Sequence, residues 1–358
     1  MDFGLSDEQR LLQDTALQFL AKENDATRLR ARFDADDAFD PSFWRGIAEL
    51  GLAGLVIPEA HGGAGLALLD AALVAETLGR AAAPGPFLGH TLASLALTLG
   101  GSAEQQQRWL PRLATGDALA TVAFAEADAG WQPEDWRLAG GEVLRGEKQH
   151  VLVGAHADLC VVGVADGGLA LVERERGGCF AEPFPGVDRT RRLDTLRFDG
   201  APSEALPGAA AAAPRVRDAG LVLLAADAFG GASRLVDVTV AYANTREQFG
   251  VTIAHFQGLK HQLANMALEV EPGRALYWYA AHAFDQAPED TPRMAALAKA
   301  HLGDRFLQVA RDAVEAHGGL GYTWECDVQI WFKRAIFDRT FLGSSAVHRE
   351  RAAKLAGW

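Results

Sequence analysis

Apolar residues recur at helical spacing from the start of the chain. Ser6 can cap a helix whose first turn is acidic, and Leu11, Leu12, Ala16, Phe19 and Leu20 then fall on one stripe, which predicts an amphipathic helix over about residues 7–22. A second helix is predicted over 43–50, stopped by Gly51, and an irregular loop follows over 56–66, where Pro58, Gly62, Gly63 and Gly65 interrupt any regular pattern. Residues 68–78 and 89–99 read as apolar helices and 102–113 as a more polar one, so residues 1–115 are expected to form a helical domain.

The pattern then changes period. Short β-rich runs at 119–124, 150–153, 159–164 and 169–172, broken by Gly and Asp, predict a small β-domain over residues 116–206. The alanine tract 209–213, between Gly208 and Pro214, reads as a connector into a helix. Helical periodicity returns from about Val216 to Asn244, from Phe256 past Trp278, and from Met294 to His317, making 207–358 a second helical domain. The expected class is α+β, mainly α.

Composition narrows the partners. A chain of 358 residues that is 49% hydrophobic can bury a large core, and its formal charge of -13 argues against nucleic acid, which needs clustered cations. Its basic runs, 28–32 and 189–192, are short enough to be solvated faces. Residues 1–9 have neither a basic start nor an apolar stretch, so no signal peptide is expected, and no apolar run is expected to reach the roughly 20 residues that span a bilayer. Cys160, Cys179 and Cys326 are too few and scattered for a disulfide framework or a metal site, consistent with a cytoplasmic protein.

Three motifs carry chemistry. Arg246-Glu247-Gln248-Phe249-Gly250, followed by Gln257, offers a planar guanidinium suited to phosphate oxygens, although an arginine at a helix end also serves as a dipole or solvent partner. Glu315-Ala316-His317-Gly318-Gly319-Leu320-Gly321-Tyr322 holds more glycines than a helix C-cap needs and would let backbone approach a ligand. Pro58-Glu59-Ala60-His61-Gly62-Gly63-Ala64-Gly65 fits either a plain turn or a signature loop.

Together these motifs resemble the acyl-CoA dehydrogenase family, over essentially the whole chain. The resemblance implies that family's fold, with an N-terminal helical domain, a middle β-domain and a C-terminal four-helix-bundle domain. It also implies FAD as cofactor, an acyl-CoA thioester as substrate and an electron-transfer flavoprotein as electron acceptor. Arg246, Gln248, Phe249 and Gln257, with the turn His317, Gly318 and Gly319, would contact the FAD held by a neighbouring subunit.

The chain departs from that family at the ring-holding and basic positions. Where the family has Thr-Glu-Pro-x-Ala-Gly-Ser and Trp-Ile-Thr-Asn, this chain reads 125–131 Ala-Glu-Ala-Asp-Ala-Gly-Trp and 150–153 His-Val-Leu-Val. A buried flavin edge would lose roughly 1–3 kcal/mol per missing hydroxyl partner. Where the family places its proton-abstracting Glu in a Tyr-Glu-Gly-Thr-like turn, the chain has Phe341-Leu342-Gly343-Ser344, and the alternative positions on the long helix are Gly220 and Leu221. Asp227 is the nearest acid on that helix face, about 10 Å further along the axis, and could be either a base or half of a buried ion pair. The expected reading is the base-lacking subunit of a heteromeric bacterial acyl-CoA dehydrogenase, a heterotetramer in which a homologous partner supplies the Glu. The alternatives are a homo-oligomeric enzyme using Asp227, or a non-enzymatic interaction subunit.

Overall fold

The computed structural model describes residues 4–37, 39–127 and 130–358. Met1, Asp2 and Phe3 of the N-terminal reading, Ala38, and Asp128 and Ala129 of the 125–131 segment lie outside the described residues. In chain order come α1 (Asp7–Glu23), α2 (Ala26–Asp34), α3 (Pro41–Glu49), α4 (Leu68–Arg80), α5 (Phe87–Gly100) and α6 (Ala103–Ala114). Strands β1 (Ala120–Ala123), β2 (Val143–Leu152), β3 (Leu159–Val164), β4 (Gly168–Glu173), β5 (Cys179–Phe184), β6 (Leu193–Pro202) and β7 (Glu204–Ala205) follow. The chain then forms α7 (Ala209–Thr245), the hairpin β8 (Glu247–Gln248) and β9 (Val251–Thr252), α8 (Gln257–Val270), α9 (Gly273–Gln286), α10 (Thr291–Ala316), α11 (Val328–Thr340) and α12 (Ser345–Leu355). The helix, sheet, helix order is that of the expected α+β class.

Local chemistry explains the boundaries. Ser6 and Ser102 each accept a hydrogen bond from the backbone N–H three residues on and receive a glutamine in return, so α1 and α6 start with capping boxes. Gly51 adopts φ +76 after α3, the left-handed stop that the sequence suggested. Three expectations are corrected. The tract 209–213 is not a connector: α7 begins at Ala209, because alanine is the best helix former, and Pro214 costs only one ladder bond near the helix start. The helix expected from Phe256 past Trp278 is two, because Pro272 cannot donate to the ladder and separates α8 from α9. By length and composition α7 could also cross a membrane, contrary to the expectation that no apolar run is long enough, but its most apolar window is 83% buried inside the protein.

The residues pack into two compact units. The first comprises residues up to Asp34, Ala72–Ala83 and Leu221–Trp358; the second comprises Ala35–Ala71 and Pro84–Gly220. The second unit holds two sheets, ordered β1-β3-β4-β7 and β2-β6-β5, in which only β1 and β3 run parallel. Its sheet core is built from Leu144, Val151, Val162, Val172, Leu196 and Phe198 among others. Lys148 is buried there, donating to Glu126 Oε1 (2.5 Å) and the Phe124 carbonyl (3.0 Å).

In the first unit, α4 crosses α7 at a contact that only glycine permits. A Cβ on Gly79 would stand 2.1 Å from the Asp227 carbonyl oxygen, and one on Gly230 would stand 1.9 Å from that of Glu76. Both obstacles are backbone, so neither can swing aside. Gly79→Ala and Gly230→Ala should each lower the unfolding free energy by ~3 kcal/mol in urea titrations, whereas Gly258→Ala, which meets open space, should stay within ~0.5 kcal/mol.

Candidate functional site

The segment between α7 and α8 is built to project side chains. β8 and β9 pair through Glu247 with Thr252 and Gln248 with Val251, which leaves Phe249 and Gly250 as a two-residue turn. Both have positive φ, +55 and +80, as the tight turns matching strand twist require. Glycine does this freely, but phenylalanine does it under strain, and Phe249 is nevertheless 93% exposed. Its ring meets that of Phe256 edge-on, with centroids 6.1 Å apart, yet most of the strained side chain faces solvent, where a group from outside the chain could cover it. Arg246, Gln248 and Gln257 are also exposed, and among the described residues no side chain bonds the Arg246 guanidinium.

The glycine turn lies beside this segment. The His317 ring stacks on Tyr242 with centroids 4.3 Å apart, and the Tyr242 hydroxyl donates to the His317 carbonyl at 3.4 Å. Tyr242 is one helical turn before Arg246, so His317, Gly318 and Gly319 are held roughly 6 Å along α7 from it. His317 itself is buried, with Nδ1 2.7 Å from the Ala313 carbonyl, and burial lowers its pKa. The three glycines divide their work. A Cβ on Gly321 would meet the Val314 carbonyl at 2.3 Å, so this glycine serves packing, whereas Gly318 and Gly319 are exposed with nothing within 4 Å. The structure thus brings Arg246, Gln248, Phe249, His317, Gly318 and Gly319 to one end of α7, with Gln257 opening α8 just after the hairpin.

Asp227 has a different setting. Its carboxylate is buried, and Arg334, also fully buried on α11, approaches both oxygens with Nη1 at 3.1 Å while Nη2 donates to the Ala83 carbonyl at 2.9 Å. Sequence reasoning missed Arg334, although a lone arginine inside the apolar run Trp331-Phe332-Lys333-Arg334-Ala335-Ile336-Phe337 is the signal that a buried acid awaits it.

The turn that carries the family's base is also fully formed. Leu342 sits at φ +59 and is 1% exposed; its carbonyl is 2.9 Å from His348 Nε2, and buried Lys299 donates to the carbonyls of Arg339 (3.2 Å) and Gly343 (3.3 Å). Burial pushes Lys299 down to about 7, against the pull of Asp338. The turn is thus braced on its backbone around an aliphatic side chain.

In the second unit the ring-holding segments are filled by aromatics. His150 has φ +56 in the irregular part of β2, and its ring lies 4.4 Å from that of Phe184 and 5.7 Å from that of Trp131. Burial lowers the His150 pKa, and its Nδ1 has no hydrogen-bond partner among the described residues. Ala125 is buried in a bridge with Gln149, and Leu152 turns its carbonyl to the Thr121 hydroxyl at 2.7 Å. The side chains of Ala125, Leu152 and Val153 have no polar group to offer a ligand, and the rings of Trp131 and His150 contact each other.

Residues 6–117 match the acyl-CoA dehydrogenase N-terminal domain and residues 218–356 the acyl-CoA dehydrogenase C-terminal domain. Acyl-CoA dehydrogenase IpdE2 of Mycolicibacterium smegmatis is 36% identical over 343 residues, covering 95% of this chain and 96% of that protein. The chain belongs to the acyl-CoA dehydrogenase family. Among solved structures, the Tcur3481-Tcur3483 steroid ACAD G363A variant is 31% identical with a TM-score of 0.89, covering 98% of both chains. The ChsE4-ChsE5 complex from Mycobacterium tuberculosis is 26% identical with a TM-score of 0.88, covering 100% of this chain and 99% of that one.

Removing one member of a buried ion pair strands the other charge. Arg334→Leu should therefore cost ~3–5 kcal/mol of unfolding free energy, and the double variant Asp227→Leu/Arg334→Leu should cost clearly less than that single change. A double variant as unstable as the sum of the singles would contradict the pairing.

Proposed function

We propose that this chain is the base-lacking subunit of a heteromeric, FAD-dependent acyl-CoA dehydrogenase. The reaction is α,β-dehydrogenation of an acyl-CoA thioester. The observation that carries the reading is the unequal state of the site elements: Arg246, Gln248, Phe249, Gly318 and Gly319 at the C-terminal end of α7 are exposed, whereas the positions that would grip a flavin ring or remove a proton are apolar, drawn into an aromatic cluster or, at Asp227, ion-paired.

The fit to FAD is therefore half a fit. Arg246 can donate two parallel hydrogen bonds to a pyrophosphate, Gly318 and Gly319 leave their backbone open to close approach, and Phe249 offers a ring face. Those residues suit the dinucleotide portion of a cofactor whose ring is gripped by a homologous partner chain. The Trp131, His150 and Phe184 cluster does not suit an isoalloxazine edge that needs hydroxyl donors. When bound, FAD supplies the acceptor for the substrate's β-hydride, and an electron-transfer flavoprotein is the expected acceptor from the enzyme.

Proton removal follows the same division. An acyl-CoA α-proton is weakly acidic and needs a carboxylate in contact with it. Leu342 has none to offer, so the partner provides the Glu. Asp227 as base would have to break two contacts with Arg334 and leave a buried guanidinium unpaired, so we read it as a structural counter-ion. The relatives named above, one described as a steroid enzyme and one as a two-component complex, support a steroid-derived acyl thioester as the first substrate to test and a paired assembly as the form to purify.

Absorbance spectra test this reading. The chain purified alone should be colourless and inactive, and co-purification with its homologous partner should give a flavin spectrum and turnover. Arg246→Leu in this chain should then reduce flavin retention at least tenfold. A yellow, active preparation of the chain alone, silenced by Asp227→Asn, would overturn the proposal in favour of a homo-oligomeric enzyme; absence of flavin in every combination would favour a non-enzymatic subunit.

A further inference from the structure

The first unit contains a cavity of about 440 Å³ that shares only His317 with the residues proposed to contact FAD. It lies among α1, α2, the C-terminal end of α4, the middle of α7 and the start of α11. Leu17, Leu20, Leu29, Val238, Val328 and Trp331 supply apolar walls. Its size is within the roughly 300–1,000 Å³ of small-molecule sites.

One corner is cationic. Arg80 and Arg234 both line it, but their situations differ. Arg80 is bonded to Asp237 at 2.5 Å. Arg234 is half-buried and has no hydrogen bond or salt bridge among the described residues, although Asp237 lies only three positions along the helix. Burial and the nearby Arg80 lower the Arg234 pKa, with Asp237 opposing, so this guanidinium gains from any added anion. The acids at the rim are otherwise engaged: Asp327 pairs with Arg30, and Asp25 accepts from the Arg28 backbone N–H at 2.9 Å. Arginine is weakly hydrated and forked, so a carboxylate is its natural partner in such a setting.

We propose that this cavity binds an amphipathic monocarboxylate, with the carboxylate on Arg234 and the hydrocarbon tail against the leucines and Trp331. The site is separate from the residues discussed for cofactor and proton transfer, except that His317 forms part of its wall. A carboxylate ligand there would touch the residue that opens the glycine turn, and this makes a free acid a candidate regulator.

Calorimetric titration of the full-length chain with octanoate tests the site independently of flavin or turnover. Saturable 1:1 binding is expected, weakened at least tenfold by Arg234→Leu and also by Leu29→Trp, which fills the cavity while keeping the guanidinium. Octanol should bind at least tenfold more weakly than octanoate. Circular dichroism of both variants establishes that loss of binding is not loss of fold. Absence of saturable octanoate binding to the unaltered chain overturns the proposal, as does equal binding by octanol or undiminished binding by a folded Arg234→Leu variant.

Discussion

The first unit depends on the crossing of α4 and α7. Gly79 and Gly230 let the two backbones meet closer than any side chain would allow, and this contact leaves Asp227 inside the packed helices with no water to solvate it. A carboxylate in that position must be matched, and Arg334 matches it while also closing the Ala83 carbonyl. The pairing joins α7 to α11, and the Trp331 indole, on the same helix, donates to the Gly79 carbonyl at 3.2 Å. The same close contact that orders the bundle places its most conspicuous internal acid in an ion pair.

The exposed elements of the proposed cofactor contact lie at the far end of α7. Tyr242 and His317 fasten the glycine turn there, and the hairpin that follows holds Phe249 at positive φ with Phe256 at its edge. The turn at Leu342 is the counterpart: it is held by Lys299 and His348, yet its side chain is a buried leucine. This contrast between a braced turn with an aliphatic side chain and the exposed elements at the end of α7 is what the proposed pairing with a complementary chain rests on.

Sequence reasoning captured much of this. Short-range chemistry was legible, as the Ser6 and Ser102 caps and the Gly51 stop demonstrate, because each depends on residues within one turn of itself. The motifs around Arg246 and Gly318 pointed to the family because their residue types are specific. Strands β5 and β6 and helices α2, α11 and α12 were not, since β6 interleaves Asp194, Arg197 and Asp199 with its apolar residues and α2 has a low apolar content. Least legible were long-range pairings: Asp227 and Arg334 are 107 residues apart, and no local pattern links them. The open corner at Arg234 likewise depends on Arg80 taking Asp237, a choice made only in three dimensions.

The central claim is that one flavin site is shared between two unlike chains, each contributing what the other lacks. Flavin stoichiometry of the assembled complex, measured by native mass spectrometry, tests it most directly. The account predicts one FAD for each pair of this chain with its partner; one FAD per chain, including one held within copies of this chain alone, would contradict it.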